Sequence, residues 1–324
     1  MKLPGSRRGT ASICLALCAC LFPIAAAAER LHIVIPAAAG GGLDGTARAA
    51  GRALTAMELA GTVSFENIAG AGGGRGLSVF VENTARFREA LIVNSTPLIL
   101  RRLQNLYPLS FRDLTPIVGL VADYGIFVVR NEEPADSWLS VVTRLRENPR
   151  AVIMGGGSAR GSLDHIVAAL ALDAAGVDAR RVRYLPYDGG GKAMLALLGD
   201  EIELLSTGLG ETLPFIRAGQ VRVLAITAPE RVKAIEDVPT LTELGCPVRF
   251  ANWRGLFASP AVDEDVRVSH IQRFRTLTAS DTWSGTLEQY GWEPLNLFGE
   301  DFTRYLEQQE SLLRETMAKL GFTR

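Results

Sequence analysis

The sequence predicts an α/β protein built as two lobes with a ligand cleft between them. Three observations predict it. Apolar, strand-like runs end repeatedly in small or glycine-rich loops and give way to helix-like runs, the rhythm of parallel sheets whose ligands sit beyond the carboxyl ends of the strands. The corner Gly40-Gly41-Gly42, entered from the run 31–35, has a counterpart at Gly155-Gly156-Gly157, entered from the run 151–154. A late apolar run, 250–258, returns toward the first lobe, so the chain crosses between lobes at least twice.

Composition supports this plan. The chain has 324 residues of which 48% are hydrophobic, enough for two lobes with buried cores. Its 33 glycines cluster in a few loops, which marks specialised turns and argues against low complexity. Residues 1–28 read as a secretory signal: Lys2, Arg7 and Arg8 form a basic start, 11–24 is apolar but short for a membrane span, and Ala26-Ala27-Ala28 offers a cleavage site. Leu17-Cys18-Ala19-Cys20 weakly resembles a lipoprotein site acylated at Cys20, but Cys18 is an odd occupant of that pattern, so plain export to the periplasm is the reading adopted. Without residues 1–28 the chain keeps 31 basic and 35 acidic residues, a net charge of −4, and Cys246 as its one thiol. No basic block points to nucleic acid, and no later run suits a membrane span.

The elements follow in order. After the first corner, a helix is expected over 46–60 and an alternating strand over 62–68, which opens into the second glycine loop, 70–76. A buried strand over 90–94 ends in Ser95-Thr96-Pro97. The run 115–130 contains the clearest strand, 124–130, and the entry to the second lobe is placed near 130. Ser137 caps an amphipathic helix that Asn148-Pro149 stops. Strand 151–154, loop 155–162 and helix 163–176 repeat the opening design. Strands follow at 182–187, 202–206 and 221–227, with a helix over 192–198. Helices over 263–277, 280–290 and 299–320 pack outside. The lobes are thus expected at 29–129 with 246–324, and at 130–245.

A glycine corner between strand and helix lets bare backbone N–H groups approach a ligand, and the helix N-terminus adds partial positive charge, so each corner favours an anion. The loops also offer patterns for other chemistries. Gly40-Gly41-Gly42-Leu43-Asp44-Gly45 satisfies G-x-G-x-x-G with Glu66 about 20 residues on, the dinucleotide fingerprint of an NAD(P)-dependent oxidoreductase. Against it, Pro36 and three alanines lengthen the turn, and Asp44 would bring negative charge to a pyrophosphate. Gly156-Gly157-Ser158-Ala159-Arg160 nearly matches a nucleophile elbow, but Arg160 replaces the last glycine. His32 reads as packed within its strand, and His165 as holding its loop rather than moving protons. No metal-ligand or paired-carboxylate pattern stands out. Arg160 is either a solvated loop residue or a planar fork for a carboxylate in the cleft. Trp253 and Tyr124 are either ligand walls or core.

Several stretches together carry a family resemblance: 36–48, Asn67-Ile68-Ala69-Gly70-Ala71-Gly72-Gly73, 155–165, 187–193, 217–225, Val238-Pro239-Thr240-Leu241 and 251–260. They resemble the extracytoplasmic solute-binding receptors of tripartite tricarboxylate transporters, the Bug-type or TctC family, over nearly all of the chain after the signal. Gly155-Gly156-Gly157-Ser158 with Asp164-His165, and Ala251-Asn252-Trp253-Arg254-Gly255, look most like its tricarboxylate-binding branch. The resemblance implies a type II periplasmic-binding-protein fold closing on a small di- or tricarboxylate, gripped by backbone N–H groups and ordered water. It implies one grip at Ala39, Gly40, Gly41, Gly42, Leu43 and Asp44, and another at Ser158, Ala159, Arg160, Gly161 and Ser162. Ser95, Thr96, Thr207 and Gly208 would line the cleft. It implies delivery to a membrane permease and no enzymatic activity, cofactor or metal; a monomer is expected. Two positions depart from that branch: Leu43 stands where an aromatic residue is usual, and Arg160 where a small one is. A sensor that binds the same ligand for a signalling partner is the third reading beside receptor and oxidoreductase.

Overall fold

The computed structural model describes residues 30–322 together with Met1. The expected signal, including Cys14, Cys18 and Cys20, otherwise lies outside the described residues. The first sheet begins with β1 (Arg30–Ile35), β2 (Thr62–Asn67) and β3 (Leu91–Ser95), with β1 parallel to both others. Between them lie α1 (Gly42–Ala56) and α2 (Gly74–Glu82), and α3 (Pro97–Leu103) follows β3. Next come β4 (Thr115–Arg130) and α4 (Trp138–Glu147), then β5 (Ile153–Gly156), α5 (Leu163–Ala174), β6 (Arg183–Pro186) and α6 (Gly190–Leu198). The strands β7 (Leu204–Gly208) and β8 (Val221–Ile226) flank α7 (Leu209–Arg217). The chain ends with β9 (Ala251–Ala258), α8 (Glu264–Thr278), α9 (Asp281–Tyr290), β10 (Glu293–Phe298) and α10 (Glu300–Leu320).

The strand order β2-β1-β3-β9-β4-β7-β5-β6, with β10 and β8 also on β4, describes two sheets that share one strand. Up to Tyr124, β4 pairs antiparallel with β9, and β10 pairs with this half. From Gly125 it pairs antiparallel with β7, and from Ile126 with β8. β5 joins the second sheet parallel to both β7 and β6. The returning crossover is fastened beside this switch. The Thr227 hydroxyl accepts the Gly125 N–H at 2.9 Å and donates to the Phe250 carbonyl at 2.6 Å. The Thr227 N–H also donates to the Gly125 carbonyl at 2.8 Å.

Strict alternation places the core. In β1, Ile33 and Ile35 join Ala50, Leu54, Phe274 and Trp283 on one face, while Val34 joins Phe80, Trp253 and Phe302 on the other. Both faces of a parallel sheet are covered by helices, so its strands read as continuous apolar runs. The second sheet repeats this: Phe127, Met154 and Leu204 pack with Trp138, and Ile126, Val128 and Leu205 pack with Met194 and Leu213. Trp253 is fully buried core, and Cys246 is a free, buried thiol. His32 is half-buried, its ring stacked on Phe87 at 6.2 Å and its nitrogens 2.9 Å from the Ser64 hydroxyl and 3.3 Å from Glu66.

Local differences have local causes. α1 begins at Gly42, inside the glycine loop and earlier than 46, because Asp44 and Thr46 occupy its first turns: the Thr46 hydroxyl donates to the Gly42 carbonyl at 2.9 Å. Ser137 caps α4 through the Ser140 N–H at 3.2 Å, as expected. α7 and β10 had no counterpart in the sequence reading. The first contains Pro214 and begins at a glycine-flanked strand end, and the second contains Pro294 and Asn296, all of which mask periodicity.

Candidate functional site

A cleft of about 1060 Å³ opens between the two sheets, at the carboxyl ends of their parallel strands. Six helices begin at its wall: α1 after Gly41, α2 after Gly73, α3 at Pro97, α5 after Ser162, α6 after Gly189 and α7 after Gly208. The first turn of each leaves N–H groups without intrahelical partners, and each N-terminus carries roughly half a positive charge. The strand-to-helix design therefore aims several main-chain donors and dipoles at one volume, from both sheets.

Of the residues expected here, Ala39, Gly40, Gly41, Gly42, Leu43, Ser95, Ser158, Ala159, Ser162, Thr207 and Gly208 line the cleft. Asp44, Thr96, Arg160 and Gly161 do not. The Asp44 carboxylate is buried beneath the first corner, where it accepts from the Gly40 N–H at 3.0 Å, Asn67 Nδ2 at 3.0 Å and Arg48 Nε at 2.9 Å. Burial alone would raise its pKa, but these bonds outweigh that and hold it below the usual carboxylate value. Asp44 thus shapes the loop. Thr96 is buried, its N–H 3.3 Å from Asn252 Oδ1. Arg160 turns its guanidinium to the Tyr184 carbonyl at 2.6 Å, away from the cleft. The Gly161 carbonyl accepts from Gln104 Nε2 at 2.9 Å, joining the second corner to the loop after α3.

The second corner is held in the same way. The Ser158 hydroxyl accepts the Asp164 N–H at 2.9 Å, and the Ser158 carbonyl accepts the Tyr184 hydroxyl at 2.9 Å. His165 Nδ1 accepts the Gly161 N–H at 2.8 Å while its ring lies 4.3 Å from Tyr184. Burial, and then the positive charge of Arg160, push its pKa down to about 4, so it is neutral and fixed as an acceptor. The ring is committed to its loop, and among the described residues it makes no hydrogen bond to Ser158. Glu66, the would-be ribose ligand of a dinucleotide site, is engaged by Arg86 at 2.8 Å and by His32.

Seven charged residues of the cleft were missed as site residues; two of them, Asp188 and Lys192, form an exposed pair at 3.5 Å at its rim. At its floor Arg254, on β9, meets Asp123, on β4, at 2.5 Å; both are buried. Arg254 also donates to the Thr46 hydroxyl at 3.1 Å, and Asp123 accepts the Gly210 N–H at 3.1 Å, so the pair ties the starts of α1 and α7 to the crossing strands. Burial pushes the Asp123 carboxyl up, and Arg254 only partly offsets this. Gly42 is required here because a Cβ on it would sit 2.5 Å from the Arg254 guanidinium. Asp164 and Glu211 face the cleft from the second sheet; Glu211 accepts the Thr207 hydroxyl at 2.7 Å. Burial, and then Glu211, raise Asp164 to about 7. Arg101, on α3, completes the set. Signals existed for most of them: Arg254, Asp164, Asp188 and Lys192 lay in stretches carrying the family resemblance, and Asp123 interrupts an apolar strand, where a charge is unusual unless paired.

Two lobes that share crossing strands and enclose a cleft define the periplasmic-binding-protein class. Solved members superpose closely. A periplasmic transporter matches with a TM-score of 0.82 and 24% identity over 92% of this chain and 99% of its own. The periplasmic binding protein BugD gives 0.81 and 24%, over 91% and 98%. An R. palustris protein with adipate gives 0.82 and 23%, over 93% and 99%. Within that class, the chain belongs to the tripartite tricarboxylate transporter family receptors (TctC), whose family model matches residues 47–321. Protein BugT of Bordetella pertussis is 27% identical over 321 residues, covering 96% of this chain and 95% of BugT. A UPF0065 protein of Agrobacterium vitis is 26% identical over 286 residues, covering 85% and 80%.

Proposed function

We propose that this receptor captures a small di- or tricarboxylate in the cleft outside the cytoplasm and delivers it to a tripartite tricarboxylate transporter permease. The observation that carries the reading is the convergence of helix N-termini from both sheets on one volume, which suits an anion held by main-chain donors. Similarity to carboxylate-bound proteins supports it: beside the adipate-bound protein, MatC from Rhodopseudomonas palustris with bound malate matches with a TM-score of 0.76 and 22% identity over 91% of this chain and 99% of its own. Residues 1–28 supply export to the periplasm, and the receptor acts as a monomer without cofactor. Two bodies, 29–129 with 246–324 and 130–245, rotate about the crossings, and ligand favours closure only through contacts made by both. Ala39, Gly40, Gly41, Gly42 and Leu43 grip from one side; Ser158, Ala159 and Ser162 grip from the other.

A thermal-shift titration of the mature protein with malate, adipate and citrate, set against NAD, tests this. A carboxylate at 100 times its dissociation constant should add about 2.7 kcal/mol of stability. A shift with NAD and none with any carboxylate would overturn the reading.

A further inference from the structure

The Arg101 guanidinium is buried, lines the cleft and has no acidic partner among the described residues. It is 8% exposed, its Nε has no hydrogen-bond partner, and its one side-chain hydrogen bond among the described residues is a long one to Gln104 Oε1 at 3.4 Å, with the Tyr107 phenol close by. Burial pulls its pKa below the ordinary guanidinium value, yet such a group stays charged. An unpaired buried cation is costly to the folded state. The neighbouring backbone is shaped around it: Gly72, at a φ of +61°, lies so close that a Cβ there would sit 2.9 Å from Nε and Nη2. Gln104, its weak partner, is held in place by its Nε2, which donates to the Gly161 carbonyl of the second corner. Every other charged group of the cleft named above is either paired, as Arg254 is, or acidic. On the second-sheet side lie the acids Asp164 and Glu211, and the cation there, Lys192, is exposed and paired with Asp188 at 3.5 Å, so an anionic end is drawn toward the buried Arg101 on the first-sheet side.

We propose that Arg101 is the specificity residue that receives the second carboxylate of the ligand, with the first held at the main-chain corner around Gly40 to Gly42. The cleft then selects dianions over monoanions of the same length. This rests on the carboxylate reading above and narrows it: one carboxylate is recognised by backbone donors, the other by a planar fork that matches it in two parallel bonds.

The test is calorimetric titration of wild type, Arg101→Gln and Arg101→Lys with succinate and adipate, each against its monocarboxylate counterpart, butyrate and hexanoate. Wild type should prefer a dicarboxylate by about tenfold to a hundredfold, the worth of charge-assisted bonds. Arg101→Gln should erase that preference while leaving monocarboxylate affinity within about twofold, and Arg101→Lys should restore it in part. The ligand-free melting temperature should not fall in Arg101→Gln, because an uncompensated charge has been removed; a structural guanidinium would lower it. If Arg101→Gln keeps the wild-type preference, or melts earlier without ligand, the assignment to Arg101 fails and carboxylate binding stands. If wild type binds none of the carboxylates, the carboxylate reading itself fails and takes this inference with it.

Discussion

The buried pair of Asp123 and Arg254 predicts an asymmetry between its two halves. Replacing Asp123 with Leu leaves the Arg254 guanidinium buried, with the Thr46 hydroxyl as its remaining side-chain hydrogen bond, the Trp292 ring 5.5 Å away and no route to neutrality. Breaking a buried pair from one side costs about 3–5 kcal/mol, which in a chain of this size lowers the melting temperature by roughly 4–8 °C. Replacing Arg254 with Met leaves Asp123 buried, next to the negative charge of Glu211, but a carboxyl can take up a proton. Its folded-state pKa then climbs further above the unfolded value of about 3.9. Between those two values the folded state holds a proton that the unfolded state has released, so stability falls as pH rises through that window. Arg254→Met should therefore approach wild type near pH 5 and fall well below it near pH 8, whereas Asp123→Leu should be damaged at both. The double variant, with neither charge buried, should recover much of the loss. Urea unfolding of the four proteins at pH 5, 6.5 and 8 reads all of this. A cost below about 1 kcal/mol for Asp123→Leu, or equal pH slopes for the two single variants, would refute the reasoning.

Asp164, raised to about 7 by burial and then by Glu211, should oppose an anionic ligand once ionised, with Asp123 and Arg254 close enough to modulate it. Carboxylate affinity is expected to tighten as pH drops from 8 to 6, and calorimetry of Asp164→Asn should return a flatter profile. Asp44→Ala should weaken binding by loosening the 37–41 loop, seen as faster amide exchange there. Because its folded pKa is depressed, the stability Asp44 contributes is present at neutral pH and is lost as pH falls through the acid range below 4. Gly157→Ala places a Cβ 2.3 Å from the Gly190 backbone nitrogen, so the second corner and the start of α6 must part; a loss of about 1–3 kcal/mol in urea unfolding is expected.

Much of the architecture was legible because both sheets are covered on two faces. Strands such as Ile33-Val34-Ile35 are then continuous apolar runs that end at proline or small residues, and one helix between them, α4, carries an ordinary cap in Ser137. The corners were legible for the same reason: glycines concentrate where backbone must face a ligand. The charged floor was not legible, since no local pattern brings Asp123 to Arg254 across 131 positions; only strand pairing does so. Arg160 shows the opposite failure. It sits in the right loop, and only the direction of its side chain, toward Tyr184, takes it out of the cleft. Arg101 was hidden on the short helix α3, where burial rather than sequence neighbourhood makes it notable.

The 16-residue β4 gives each half of the molecule an inner strand of the other's making. Unfolding of either half frays the strand on which the other is built, because one continuous strand carries the first sheet's ladders up to Tyr124 and the second sheet's from Gly125. Heating should therefore melt this two-lobed molecule in one cooperative step, and a protease should release no stable half.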